Sequence, residues 1–173
     1  MAPYRIRTFG DPVLKRRADD VTEIDGRIAT LAEDMYITMK EAHGLGLAAP
    51  QVGVSRRLFV YEIGNSGPRT LVNPAITERD GEWEHQEGCL SVPELYFMVS
   101  RPIHVHVTGY DLDGREVSIE ADELEATLYQ HEVDHLDGQL LLALLTDDQR
   151  KQAMRELRRR AEAGGSKGAA TRQ

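Results

Sequence analysis

Two histidines and a glutamate within Gln130-His131-Glu132-Val133-Asp134-His135-Leu136-Asp137-Gly138 constrain this chain more than any other stretch. They form the pattern H-E-x-x-H. At roughly 100° per residue, His131 and His135 lie about 40° apart on one helix face, a turn from each other, so both rings can address a single ion. Glu132 stands roughly 80° round from their midpoint, too far to be a third ligand and near enough to reach a water beside the ion. Two ligands and one base make a catalytic layout; the competing account is a core helix with two satisfied histidines.

The ends of that helix are legible. Asp122 followed by Glu125 reads as a capping-box-like start, and Gly138 as a C-terminal stop. Leu124, Leu128, His131 and His135 form one stripe, and Ala126, Tyr129, Val133 and Leu136 a second. That leaves Glu123, Thr127, Gln130, Asp134 and Asp137 as a polar edge. A helix apolar over so much of its circumference belongs at the centre of a fold.

The chain has 173 residues, 40% hydrophobic and 29% charged, which fits one globular domain with a sizeable core. A net charge of -8 argues against a nucleic-acid coat while leaving room for a local basic patch. Its one cysteine makes no internal disulfide, which points to a reducing compartment, with the cytoplasm as the expectation. The opening Met1-Ala2-Pro3-Tyr4-Arg5-Ile6-Arg7 has no apolar signal core, and the longest apolar run, Leu140 to Leu145, is too short to span a bilayer. No membrane role is expected.

Upstream, Ile28, Leu31, Met35, Met39 and Ala42 recur at helical spacing between Asp25, an N-cap candidate, and Gly44, a stop. The methionines at this spacing read as core rather than as a binding face. Gly44-Leu45-Gly46-Leu47-Ala48-Ala49-Pro50-Gln51 superficially satisfies G-x-G-x-x-A, but that fingerprint needs a strand before it and a helix after it. Here a helix precedes, and Pro50 would fall inside the required helix. What remains is a run whose backbone can be approached closely, ending in the Gln51 amide.

Short strands are expected at Leu58–Tyr61, Thr70–Val72, Ala75–Thr77, Ile103–Val107 and Val117–Ile119, with a hairpin turn at Asp113-Gly114. His104 and His106 share one strand face and read as a wet, structural surface. Cys89, in Gln86-Glu87-Gly88-Cys89-Leu90-Ser91-Val92-Pro93, is different: a thiolate would complete a two-histidine site and leave the fourth position open. A third histidine six residues after the second, as in metzincins, would fall on Leu141, and a downstream glutamate would be Glu156 in a basic, exposed helix. Cys89 is the better third ligand.

The stretches G-L-G-L-A-A-P-Q, E-G-C-L-S and Q-H-E-V-D-H-L-D-G together resemble the signature set of the peptide deformylases, in order and at similar separations. The resemblance runs from the first helix to Leu145. It implies an α+β fold, with antiparallel β-sheets packed around a central metal-binding H-E-x-x-H helix and a C-terminal helix. It implies Cys89, His131 and His135 as metal ligands, Glu132 as general acid and base, and Gln51 with the Leu90 amide as oxyanion hole. Leu45, Gly46, Glu87, Leu124, Leu128 and His131 would shape a methionine pocket, with backbone near Gly46 and Gly88 holding the peptide extended. The family substrate is a nascent N-formylmethionyl peptide and the product formate; the family ion is Fe(II), with zinc, nickel or cobalt able to substitute. Residues 94–97 match no strong pattern, so subfamily and inhibitor sensitivity stay open.

A catalytic domain at residues 1–146 is then followed by a basic helix at 147–163 and a disordered tail at 164–173. The helix is read either as a solvated surface or as a ribosome contact through phosphate, and the protein as a monomer. Two rivals stand beside this reading: a small metallopeptidase or amidase using the same helix, and a non-catalytic metal-binding protein.

Overall fold

The computed structural model describes residues 4–168. Helix α1 (Gly26–Glu41) starts where the Asp25 carboxylate accepts hydrogen bonds from the Arg27 and Ile28 amides at 3.0 and 3.1 Å, the N-cap expected of an aspartate there. Met35 and Met39 are fully buried, so the methionine stripe is core. The helix ends one step earlier than read: His43, not Gly44, takes the left-handed conformation (φ 56°), and the Gly44 amide donates to the Met39 carbonyl at 2.9 Å.

Seven strands follow: β1 (Gly46–Ala48), β2 (Leu58–Tyr61), β3 (Arg69–Asp80), β4 (Trp83–Cys89), β5 (Val92–Arg101), β6 (His104–Tyr110) and β7 (Glu116–Asp122). Five of them form an antiparallel sheet in the order β1-β2-β3-β6-β7, while β4 and β5 make a hairpin of their own. The two expected strands at 70–77 are one. They join across Asn73 (φ 48°), whose side chain exchanges hydrogen bonds with the Val21 backbone at 2.8 and 2.9 Å. The turn at Asp113-Gly114 connects β6 to β7 as expected, with Gly114 at φ 77°.

Strand β2 explains its own unbroken apolar run. Leu58 and Val60 pack with Met35 and Met39 of α1, whereas Phe59 and Tyr61 face the opposite way, toward Tyr129, Val133 and Leu136. Alternate side chains of a strand point to opposite faces, so the sheet is covered on both faces at β2, and all four residues of that strand are buried. The helix on the second face is α2 (Glu123–Leu136), which carries H-E-x-x-H and packs Ala126, Tyr129, Val133 and Leu136 into that core. A fold of antiparallel sheets around this helix matches the α+β expectation.

Three local expectations for α2 are corrected. Asp122 precedes the helix but makes no capping bond; its carboxylate is engaged by His104 Nδ1 at 2.9 Å, and Glu125 accepts instead from the Tyr129 hydroxyl at 2.7 Å. Thr127 and Gln130 are buried rather than on a polar edge, Gln130 Nε2 donating to the carbonyls of Pro102 and Ala126. Leu124 is half exposed, at 49%. Gly138 is the stop it was read to be, at φ 73°, and a side chain there would meet the Lys15 and Arg16 backbone at 2.8 to 2.9 Å.

After a 3-10 turn at Leu141–Leu144, helix α3 (Asp147–Gly168) lays Ala153 against Leu141, Leu142 and Leu145, in the same cluster as Cys89, Val92 and Val99. It continues past Gly164-Gly165, where the sequence predicted its end; glycine weakens a helix but removes no backbone donor. The last part of the expected tail, 169–173, lies outside the described residues, as do residues 1–3 of the opening stretch. Among the described residues no helix is long and apolar enough to cross a membrane.

Candidate metal centre

Three elements bring the site together. Helix α2 sets His131 and His135 a turn apart, and their Nε2 atoms converge to 3.2 Å. Cys89 closes β4 just before the two-residue turn Leu90-Ser91, and its Sγ lies 3.3 Å from His135 Nε2. The ligand atoms of Cys89, His131 and His135 all fall within 4.8 Å of one another. Imidazole and thiolate bonds to zinc-like ions run about 2.0 to 2.3 Å, which at tetrahedral angles separates neighbouring donor atoms by about 3.3 to 3.6 Å. Two nitrogens and a sulfur so spaced fit a divalent cation.

The electrostatics agree with that fit. Burial alone pushes the Cys89 thiol up, but the His135 and His131 rings beside it outweigh burial and hold it well below its ordinary value. Burial likewise disfavours a charged His131, yet Cys89 and Glu87 hold its pKa well above the usual imidazole value. A thiolate is the metal-binding form of cysteine.

The outer support comes from β4 and β5. Glu87 Oε2 is 3.0 Å from His131 Nδ1, and the same carboxylate is gripped by Arg101 through Nε and Nη2. Arg101 Nη1 reaches back to Asp134 of α2 at 2.8 Å, closing the hairpin onto the helix. Although burial pushes Glu87 up, the bonds from His131 and Arg101 bring it down to about 2, so it stays anionic. Such a carboxylate fixes the tautomer and orientation of a ligating imidazole.

Glu132 is 4% exposed, and its Oε2 has no hydrogen-bond partner among the described residues. Burial raises its pKa to about 7 against the pull of His131 and His135. Gly46 faces it: a Cβ there would come within 2.9 Å of Glu132 Cδ. Only glycine allows β1 to pass so close to the carboxylate.

Gln51 is pinned in the 3-10 turn Ala49–Val52. Its Oε1 accepts from the Ala48 amide at 2.8 Å, and its Nε2 donates to Ser91 Oγ at 3.1 Å with Cys89 Sγ 4.0 Å away. Its amide N–H group thus looks into the ligand cluster. A cleft of about 470 Å³ opens over the site and is lined by Leu45, Gly46, Glu87, Gly88, Cys89, Leu90, Leu124, Leu128, His131 and Glu132. Gln51 and His135, of the residues expected at the site, lie beneath it. The sequence reading missed Arg101, which no local pattern marks. It also missed His85 and Thr127, both of which line the cleft; Thr127 follows Leu124 by three residues and precedes His131 by four, a spacing that places it on the cleft face. His104 and His106 stay outside the cluster, bonded to Asp122, Thr77 and Ser118 on the sheet surface.

The family model described as polypeptide deformylase matches residues 3–151. A peptide deformylase of Clostridium botulinum is 46% identical over 142 residues, covering 82% of this chain and 96% of that relative. Among solved structures, a peptide deformylase from Legionella pneumophila superposes with a TM-score of 0.89 at 38% identity, covering 95% of this chain and 98% of the other. A peptide deformylase from Ehrlichia chaffeensis in complex with actinonin gives 0.87 at 34% identity, covering 92% and 98%.

Proposed function

The chain belongs to the polypeptide deformylase family, and from that premise we propose that it removes the formyl group of N-formylmethionine from newly synthesised polypeptides through Cys89, His131, His135, Glu132, Gln51 and Leu90. It is a metallo-hydrolase of that family, and formate is the product. The observation that carries the residue assignment is the convergence of two imidazole nitrogens and a buried thiolate, with Glu132 beside His131 and Cys89 in the lining of one cleft.

Cys89, His131 and His135 hold one divalent ion, which when bound supplies Lewis acidity to a carbonyl and to water. Glu132, with a pKa of about 7, is suited to take a proton near neutral pH. It accepts the proton of the water that attacks the formyl carbon, then delivers it to the departing amine nitrogen as the C–N bond breaks and formate leaves. The Gln51 amide and the Leu90 N–H donate to the carbonyl oxygen as it gains charge; a donor placed in this way is worth about 3 kcal/mol. Leu45, Gly46, Glu87, Leu124, Leu128 and His131 shape the slot for the methionine side chain. Backbone at Gly46 and Gly88 holds the peptide extended.

The ion in the cell is Fe(II) by family likeness, with zinc, nickel or cobalt able to take its place; the ligand set accepts each of them. The protein works as a cytoplasmic monomer, and α3 brings it to the ribosome. Between Asp147 and Arg160 this helix carries six basic and three acidic residues on a chain of net charge -8.

The deciding experiment measures formate release from a formyl-Met peptide by protein prepared without oxygen and loaded with Fe(II), beside Glu132→Ala loaded identically. Release by the wild type and its loss in a variant that keeps its metal are expected. A fully loaded wild type that releases no formate, or cleaves unformylated peptides instead, overturns the assignment in favour of a peptidase.

A further inference from the structure

The two donors assigned to the oxyanion hole come from separate elements, and a third segment ties those elements together. Gln51 sits in the 3-10 turn Ala49–Val52, and Leu90 in the turn Leu90-Ser91 between β4 and β5. The two turns meet through Gln51 Nε2, which donates to Ser91 Oγ at 3.1 Å. The main chain near the start of the protein adds two more links: the Arg7 N–H donates to the Gln51 carbonyl at 2.7 Å, and the Phe9 N–H to the Ser91 carbonyl at 2.8 Å. In an extended chain the N–H groups of residues two apart point to the same side, so residues 7 to 9 make a short strap across both turns. The strap is itself fastened. The Arg7 guanidinium lies over Gly53, where a Cβ would meet its Nε at 2.9 Å, and Phe9 packs against the cluster of Cys89, Val92 and Val99.

The two strapped carbonyls belong to residues that are 1% and 0% exposed. A buried carbonyl deprived of its donor is costly, and its turn shifts to find another. A shift of either turn carries an oxyanion-hole donor with it: the Gln51 amide is on the residue whose carbonyl Arg7 holds, and the Leu90 N–H lies one residue before the Ser91 carbonyl. The Ala48 N–H, which fixes Gln51 Oε1 at 2.8 Å, stands at the head of the same 3-10 turn and moves with it. Such a hole works because its donors are in place before charge develops, and a misplacement of about 1 Å costs up to about 100-fold.

We propose that Arg7 and Phe9 are positioning residues that act through their backbone N–H groups, holding the Gln51 and Leu90 donors at a fixed spacing against the oxygen of the formyl group. Neither residue lines the cleft. The inference rests on the deformylase reading and adds to it the segment that sets the oxyanion hole.

Phe9 is a position at which the N–H can be deleted with little other change to the backbone. It is second in a turn closed by the Asp11 N–H donating to the Thr8 carbonyl at 3.1 Å; the third residue, Gly10, takes positive φ (106°) and Phe9 does not. That is the type II pattern, in which proline is favoured at the second position. Phe9→Pro therefore keeps the turn and removes the donor, while Phe9→Val is close to proline in size and keeps it. Formate release from a formyl-Met peptide is measured for wild type and both variants, all loaded with metal, and metal content is assayed in the same samples. Phe9→Pro should lower kcat about 10- to 100-fold with KM and metal content unchanged, and Phe9→Val should keep the wild-type kcat. A Phe9→Pro enzyme as fast as Phe9→Val, or one whose loss lies in KM or follows loss of metal, overturns the proposal. If Phe9→Pro does not fold, Arg7→Pro beside Arg7→Val puts the same question to the Gln51 carbonyl. No formate from fully loaded wild type would instead sink the deformylase reading on which the proposal stands.

Discussion

Arg101 holds Glu87 by two guanidinium nitrogens, and Glu87 in turn faces His131 Nδ1 at 3.0 Å, so a residue of β5 orients a proposed metal ligand on α2. Neither residue touches the ion's position. Removing the carboxylate frees the imidazole to rotate and to change tautomer. Glu87→Ala should therefore lower metal affinity about 10- to 100-fold, read as metal retained after dialysis against a graded chelator. Affinity equal to wild type would show that His131 is held by the helix alone.

The same carboxylate makes stability depend on acid. Its pKa is about 2 in the folded protein against an ordinary 4.5. Between these values the unfolded chain binds a proton that the folded one does not, so stability rises with pH across this window. The contribution is complete above about 4.5 and disappears as pH falls toward 2. Urea midpoints measured from pH 5 downward should fall more steeply for wild type than for Glu87→Gln, which has no such proton to take up. Parallel curves would mean that the pair is not formed in solution.

Gly46 and Glu132 are pressed together closely enough that any side chain at position 46 must displace the carboxylate, the nearest approach of a Cβ to Glu132 Cδ being 2.9 Å. Glu132 is placed here as the proton carrier, and a positioned acid–base group contributes about 10²- to 10⁴-fold. Gly46→Ala should reduce kcat tenfold or more while Cys89, His131 and His135 keep their metal. An unchanged kcat would show that Glu132 acts from another position.

How much of this could be read in the sequence depended on whether a residue obeys a local rule. H-E-x-x-H, Asp25, Gly138 and the apolar β2 run follow helical periodicity, capping and burial on both sheet faces, and each stands where it was read. Cys89 was legible only as the answer to a need elsewhere, a third ligand for α2. The β4–β5 hairpin was not read, because Tyr96 and Met98 are apolar yet point outward at 64% and 47% exposure, so Leu95 to Val99 lacks the apolar–polar alternation by which a half-buried strand is recognised. Thr127 and Gln130 read as a polar edge because their residue type says surface; they are inside because the cleft and the Pro102 carbonyl lie against them. Arg101 is one charged residue among many until the fold sets it against Glu87.

Helix α3 carries the remaining prediction, and its packing decides which experiment can test it. Ala153 is buried with Leu141, Leu142 and Leu145 in the cluster that contains Cys89, and Leu157 packs against it. Cutting the chain at Thr146 would therefore unsettle a proposed metal ligand as well as remove charge. Most of the basic residues are already matched: Arg150 and Lys151 with Asp147 and Asp148, Arg159 and Arg160 with Glu156. Arg155 and Arg158 are exposed and form no ion pair among the described residues, which leaves them as the cations available to phosphate. If α3 contacts ribosomal RNA, Arg155→Ala with Arg158→Ala should abolish co-sedimentation with ribosomes at low salt while leaving formate release from a free formyl-Met peptide within about twofold, surface changes of this kind being nearly neutral for stability. Wild-type binding should weaken steeply as salt rises, since each phosphate contact releases bound counterions. Co-sedimentation that persists in the double variant, or that ignores salt, would remove α3 from any role at the ribosome and leave it as the cover of the Cys89 cluster.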